Sequence, residues 1–271
     1  MSEIRVVYSG LISVMTGILM VCTGVIFTLI LTKNLTIEEY GTWSLILGLI
    51  IYGLILDPVI SYWVTRETAR NIQSQKTAIF FGSIFSIIGA ITYLIVSYFT
   101  VEQTSVDQDL LFFGVILIPL IFVNRVLNAI NMGWKPQIKS YSTFAIEVSK
   151  VSVALVLVYF LDFGVVGAIL ALSFAQIVSI VIQIFYAKKK IQNAIKIKFL
   201  KKWLKFSWLT IYQTLSRVLY TSDIIVFTII SESVIGVALF SVSMIISTLT
   251  TNSMGISSTA YGKLLEDGKH K

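Results

Sequence analysis

Histidine and cysteine are almost missing from this 271-residue chain, which holds one of each. Cys22 lies inside an apolar run, so no disulfide forms within the chain and no cysteine cluster for a metal is available. His270 stands in a polar tail without a partner. The sequence therefore assigns no catalytic residue, no metal ligands and no cofactor. Charge is scarce too: 13% of residues are charged, 56% are hydrophobic, and the mean hydropathy is +0.87. Such a chain lacks the polar surface to cover itself in water, which argues against a soluble enzyme. Acidic residues are the scarcer sign, 14 against 21 Lys and Arg, for a formal charge of +7. In a soluble protein that excess would suggest nucleic acid; here its placement points to a membrane face, and no nucleic-acid partner is expected.

What the chain has in abundance is apolar runs of about 20 residues, each long enough to cross a bilayer core of about 30 Å. They read as Gly10 to Leu31, Thr42 to Val64, Ala78 to Phe99, Leu110 to Ile130, Thr143 to Leu161, Val165 to Tyr186, Phe206 to Ile229 and Val234 to Met254. The first is too long, and lacks a small-x-small cleavage site, to be a removed signal peptide. The expected fold is an all-α polytopic membrane protein of about eight transmembrane helices. Residues 1–187 form a first six-helix bundle, 188–205 a basic amphipathic cytoplasmic linker, and 206–271 the first two helices of an incomplete second bundle with a cytoplasmic tail.

Orientation follows from the basic residues, which are held on the cytoplasmic side of span ends. With the N-terminus inside, Arg5, Arg66, Arg70, Lys76, Lys135, Lys139, the lysines between 188 and 205, and Lys263, Lys269 and Lys271 all fall inside; Lys33 alone lies in an outer loop. Glu102, Asp107, Asp109, Asp162 and Glu232 mark the other side. Both termini are thus expected in the cytoplasm of a cell-membrane protein. Within the linker, Lys198, Lys201, Lys202 and Lys205 share one arc, beside Ile195, Phe199, Leu200, Trp203 and Phe206. That pattern suits a helix on the anionic inner leaflet, or a linker that only fixes topology.

An ionised side chain in hydrocarbon costs about 2.5 to 3.5 kcal/mol or more, so charges inside spans should face a partner or a wet cavity. In the seventh span Gln213, Ser216, Arg217, Tyr220 and Asp223 share an arc of about 120°. The fourth ends in Asn124, Arg125, Asn128 and Asn131, close to one face. In the second, Asp57 precedes Pro58, where proline removes a backbone donor and loosens the turn. Glu147 and Lys150 in the fifth are spaced for mutual neutralisation. A weak internal echo also appears. Glu38-Glu39-Tyr40-Gly41-Thr42-Trp43-Ser44 and Glu232-Ser233-Val234-Ile235-Gly236 through Phe240-Ser241 each run from acid to glycine to aromatic and serine as a span opens, as in transporters built from parallel halves.

The run Leu31-Thr32-Lys33-Asn34-Leu35-Thr36-Ile37-Glu38-Glu39-Tyr40-Gly41 resembles the start of polysaccharide-biosynthesis flippases of the multidrug, oligosaccharidyl-lipid and polysaccharide exporter superfamily. Asp57, the following Thr65-Arg66-Glu67-Thr68-Ala69-Arg70, and Thr221-Ser222-Asp223-Ile224-Ile225 extend the likeness. The chain departs from that pattern in having eight spans rather than twelve to fourteen, and Trp208 where many members have proline. The shortness makes it an expected fragment, or a half completed by a second half or partner subunit.

The resemblance implies export of a lipid-linked glycan, carried on a polyprenyl phosphate or diphosphate, with membrane lipids as surroundings. In that reading Arg217 and Arg125 face the anionic linkage, Asn124, Asn128, Gln213 and Tyr220 bond sugar hydroxyls, and Asp57 or Asp223 couples an ion. Three alternatives stand beside it. One is a drug or small-solute exporter of the same superfamily; another is a non-transporting membrane subunit. The third is a membrane glycosyltransferase, suggested by the D-x-D spacing of Asp107-Gln108-Asp109.

Overall fold

In lipid a backbone must satisfy its own donors and acceptors, and the apolar runs do so as helices. The computed structural model describes residues 6–101, 106–188, 190–192 and 194–208, then scattered positions from 210 to 230 and the stretch 235–243. Among the described residues there is no strand. The helices are α1 (Val6–Asn34), α2 (Ile37–Gly53), α3 (Asp57–Ala69), α4 (Gln75–Val101), α5 (Gln108–Phe113), α6 (Leu117–Trp134), α7 (Pro136–Ala154), α8 (Gly164–Ala187) and α9 (Ile197–Phe206). A single 3-10 turn, Gly114–Ile116, joins α5 to α6, and α7 ends in a π turn, Leu155–Phe160.

Five of these stretches are long and apolar enough to cross a membrane, and the bent pair α2 and α3 makes a sixth when it is counted as one broken span. They coincide with the first six spans expected from the sequence; most of residues 206–271, where the last two fall, lies outside the described residues. The protein is thus a multi-pass membrane protein. One expectation needs correcting: the second span is not a continuous helix but two, inclined at 62°. Proline alone does not explain the break, because the chain leaves the helix at Gly53, before Pro58. At Gly53 the backbone of α2 meets that of α4. A Cβ at Gly89 would stand 2.1 Å from the Gly53 carbonyl oxygen, and one at Gly53 would stand 2.6 Å from Ile118 Cδ1. The two glycines permit the crossing, and Pro58, at the start of α3, then adds no donor that the break would strand.

The acidic turn between α1 and α2 has a local cause. Thr36 Oγ1 accepts from the Glu39 N–H at 3.2 Å, while the Glu39 carboxylate accepts from the Thr36 N–H at 2.8 Å. This reciprocal cap starts α2. Helix α6 runs through the middle of the bundle, against α3, α4, α7 and α8, and its Leu117, Ile118, Phe122 and Leu127 are fully buried. Helices α1 and α7 pack together along one side. The outer face of α4 exposes Ile84, Ile87, Ile91 and Ile95 one turn apart, a surface that suits acyl chains.

Cross-helix contacts place the ends. Tyr8 of α1 and Tyr141 of α7 share a hydrogen bond of 2.8 Å, and the Tyr141 ring lies 6.5 Å from that of Tyr186 at the end of α8. On this same face, Glu67 near the end of α3 and Thr77 near the start of α4 receive the linker: the Lys196 N–H donates to Thr77 Oγ1 at 3.0 Å, and Lys202 Nζ lies 2.9 Å from Glu67 Oε1. One face of the bundle therefore gathers the basic loops.

Candidate functional site

Asp57 occupies the first turn of α3, with its carboxylate beside the N–H end of that helix, where a negative charge is favoured. It accepts from Ser61 Oγ at 2.5 Å, one turn on, and from Arg125 Nη1 of α6 at 3.3 Å. The carboxylate is nearly buried, but the Arg125 side chain is 44% exposed. Among the described residues Asp57 is its one hydrogen-bonding partner. A guanidinium carries five N–H donors, so this arginine retains capacity for a second anion.

The neighbouring asparagines turn elsewhere. At about 100° per residue, Asn124, Asn128 and Asn131 fall within one narrow arc of α6 and Arg125 stands beside it. The arc faces α8. Asn124 donates to Gln176 Oε1, and its oxygen accepts from Asn128 at 3.0 Å, Ser179 at 3.2 Å and Gln183 at 2.5 Å. Asn131 Nδ2 donates to Gln183 Oε1 at 3.3 Å, and Ser142 of α7 reaches Asn128 Oδ1 at 3.5 Å. Asn124, Asn131, Ser179 and Gln183 are buried. This is a largely buried polar seam joining helices, where most amide groups find partners instead of facing hydrocarbon, although the buried Asn131 Oδ1 has none. Gln176, Ser179 and Gln183 escaped the sequence reading, although their i, i+3, i+7 spacing in an otherwise apolar helix was a usable signal.

Glu147 and Lys150 are paired, as their spacing suggests, at 2.7 Å. The structure adds Thr23 of α1, whose hydroxyl donates to Glu147 Oε2 at 2.5 Å, and the Phe27 ring, 5.3 Å from Lys150 Nζ. The pair thus cross-links α1 and α7. Asp107 has a local duty: its carboxylate accepts from the Asp109 N–H at 2.9 Å and caps α5. Asp223 is helical and exposed. Gln213, Ser216, Arg217 and Tyr220 lie outside the described residues, so the meeting of the fourth and seventh spans is not described.

A separate cavity of about 460 Å³ opens between α6, the end of α7 and α8, lined by residues including Pro119, Val153, Leu157, Phe174 and Ile177. Its one polar lining residue, Ser173, has a buried hydroxyl with no partner. Walls of this kind accept hydrocarbon, not sugar.

No protein-family model matches the chain, and no curated protein matches it. Solved structures do. A MOP superfamily transporter from Pyrococcus furiosus Vc1, described as having a binding pocket of reverse polarity that suggests a different function, matches with a TM-score of 0.71 at 16% identity, over 97% of this chain and 66% of that one. An outward-facing multidrug resistance MATE family transporter of the MOP superfamily matches with a TM-score of 0.70 at 17% identity, over 99% of this chain and 68% of that one. MATE in the straight conformation gives 0.70, 17%, 97% and 67%. At these identities what is shared is the fold, and the chain spans about two thirds of the length of each structure.

Proposed function

We propose that this chain serves the export of a lipid-linked oligosaccharide or polysaccharide precursor across the cell membrane, with residues 1–187 as one rocking bundle of an alternating-access carrier. The carrying observation is the half-exposed guanidinium of Arg125, held at a helix break by a nearly buried carboxylate. A polyprenyl phosphate or diphosphate presents an anion that must be kept out of hydrocarbon while its tail stays in the bilayer. Arginine is suited to bind it through paired N–H donors. In this reading Asp57 holds the guanidinium in place when the site is empty and takes up a proton or cation when phosphate displaces it. The MOP transporter fold supports the transport part of the reading, and the sequence resemblance supports the glycan part.

A drug or small-solute exporter is the second reading, favoured by the same ion pair: Asp57 neutralises Arg125 and leaves the site without strong preference for anions. The deciding assay is proteoliposome transport by the full chain, alone and with an adjacent membrane partner, using a fluorescent polyprenyl-diphosphate sugar and a cationic dye in parallel. Flipping of the sugar lipid, lost by about ten- to a hundredfold in Arg125→Gln, supports the first reading. Dye efflux that survives Arg125→Gln and fails in Asp57→Asn supports the second. Neither activity with any partner overturns both and leaves a non-transporting subunit.

A further inference from the structure

The linker helix α9 is fastened to the bundle by one face. Trp203 is fully buried and its indole N–H donates to Glu67 Oε2 at 3.3 Å, while Lys202 takes the other oxygen of the same carboxylate. Trp63 of α3 donates to Ser207 Oγ at 3.1 Å, and its ring lies 6.2 Å from that of Phe206. This clamp sets the rotation of the helix about its own axis. On the opposite arc, at about 100° per residue, stand Lys198, Lys201 and Lys205 with Ile197 and Leu204 beside them. All five are exposed, Ile197 by 61% and Leu204 by 52%. None of the three lysines faces a carboxylate within ion-pair distance among the described residues.

We infer that this free arc of α9 is a docking surface for anionic phospholipid headgroups of the leaflet on its side of the membrane. Charge complementarity supplies the attraction, since each lysine near an anionic surface gains about 1 kcal/mol, or about fivefold in affinity. The apolar residues decide between partners. Ile197 and Leu204 gain nothing from a soluble polyanion, but they reach the boundary between headgroups and acyl chains when the lysines meet phosphate. The helix also lies against α3 and α4, and its Lys196 N–H bonds Thr77 in the first turn of α4, an apolar span of 27 residues, so the arc stands beside the end of a span, where headgroups lie. Glu67, which holds α9, belongs to α3, the helix that also carries Asp57. The inference is independent of what the protein transports.

The test uses the full chain in nanodiscs of phosphatidylcholine with rising phosphatidylglycerol, with an environment-sensitive fluorophore on Leu204→Cys in a Cys22→Ser background. The expected result is a blue-shifted, brighter emission as phosphatidylglycerol rises, weakened by added salt. Lys198→Gln, Lys201→Gln and Lys205→Gln should each cost about fivefold in the apparent affinity for phosphatidylglycerol. An unchanged melting temperature in these variants separates a lost surface from a lost fold. A reporter that stays in a water-like environment at every phosphatidylglycerol content overturns the inference. So does an equal response to heparin in phosphatidylcholine discs, which would assign the surface to a soluble polyanion.

Discussion

Among single residues, the most consequential are the charges and amides that the bundle keeps away from hydrocarbon. Glu147 and Lys150 neutralise one another, with Thr23 holding the carboxylate from the neighbouring helix. Removing one partner leaves the other buried and uncompensated, so Glu147→Gln should destabilise the protein by about 3 kcal/mol or more, and Glu147→Gln with Lys150→Met should recover most of it. Thermal unfolding in detergent measures both. If the single variant melts like the parent, the pair is a surface feature and the packing of α1 on α7 has been misjudged. Asn124 carries a similar weight in the polar seam, because its loss strands Gln176 and takes one bond each from Asn128, Ser179 and Gln183, which keep only their remaining partners. Asn124→Leu should therefore lower the melting temperature more than Asn128→Leu, whose removal leaves most of the seam connected. The sequence located all four groups of fourth-span polar residues but assigned them one face. The backbone rotation of one residue separates Arg125 from the asparagines, and only the position of α3 and α8 shows what each meets.

Elements tell a different story, since here glycine decides more than charge. The break between α2 and α3 was readable as a weakness at Asp57-Pro58, yet the contact that fixes its position is between Gly53 and Gly89 on separate helices. A methyl group at Gly89 would overlap the Gly53 carbonyl, so Gly89→Ala should cost about 1 to 3 kcal/mol, read as a lower melting temperature. Pro58→Ala should cost less, because the chain has already left the helix before that residue. Similar melting losses for the two variants would show that proline, not the crossing, sets the bend. The capping box at Thr36 and Glu39 was visible in the sequence as a run that resembled a family signature; its physical content is a helix start. Likewise the D-x-D spacing at Asp107 resolves into a helix cap.

For the whole molecule, an even number of described spans returns the chain to the side where it began. Tyr8, Tyr141, Tyr186 and the α9 contacts to α3 and α4 agree on that side. With Cys22 replaced by serine, Lys33→Cys should react with a membrane-impermeant maleimide from outside intact cells, and Lys201→Cys only after the cells are opened. Labelling of Lys201→Cys from outside would invert the topology and move the lipid-binding arc of α9 to the other leaflet.

The sequence by itself determined that the chain lives in lipid, where its first six spans run, and which face collects the lysines. These properties follow from hydrophobic length and charge placement, which act residue by residue and need no partner. It also marked Asp57, Arg125, Glu147 and Lys150 as groups that could not stand alone. The pairing of Glu147 with Lys150 was legible from their spacing, but only the tertiary structure decided the partners of Asp57 and Arg125, because a helix periodicity gives a direction from its own axis and nothing about the helix that waits there. Asp57 with Arg125, Asn124 with Gln183, Gly53 with Gly89 and Glu67 with Trp203 each join positions far apart in the chain. Their pairing depends on crossing angles and distances that exist only once the bundle has packed.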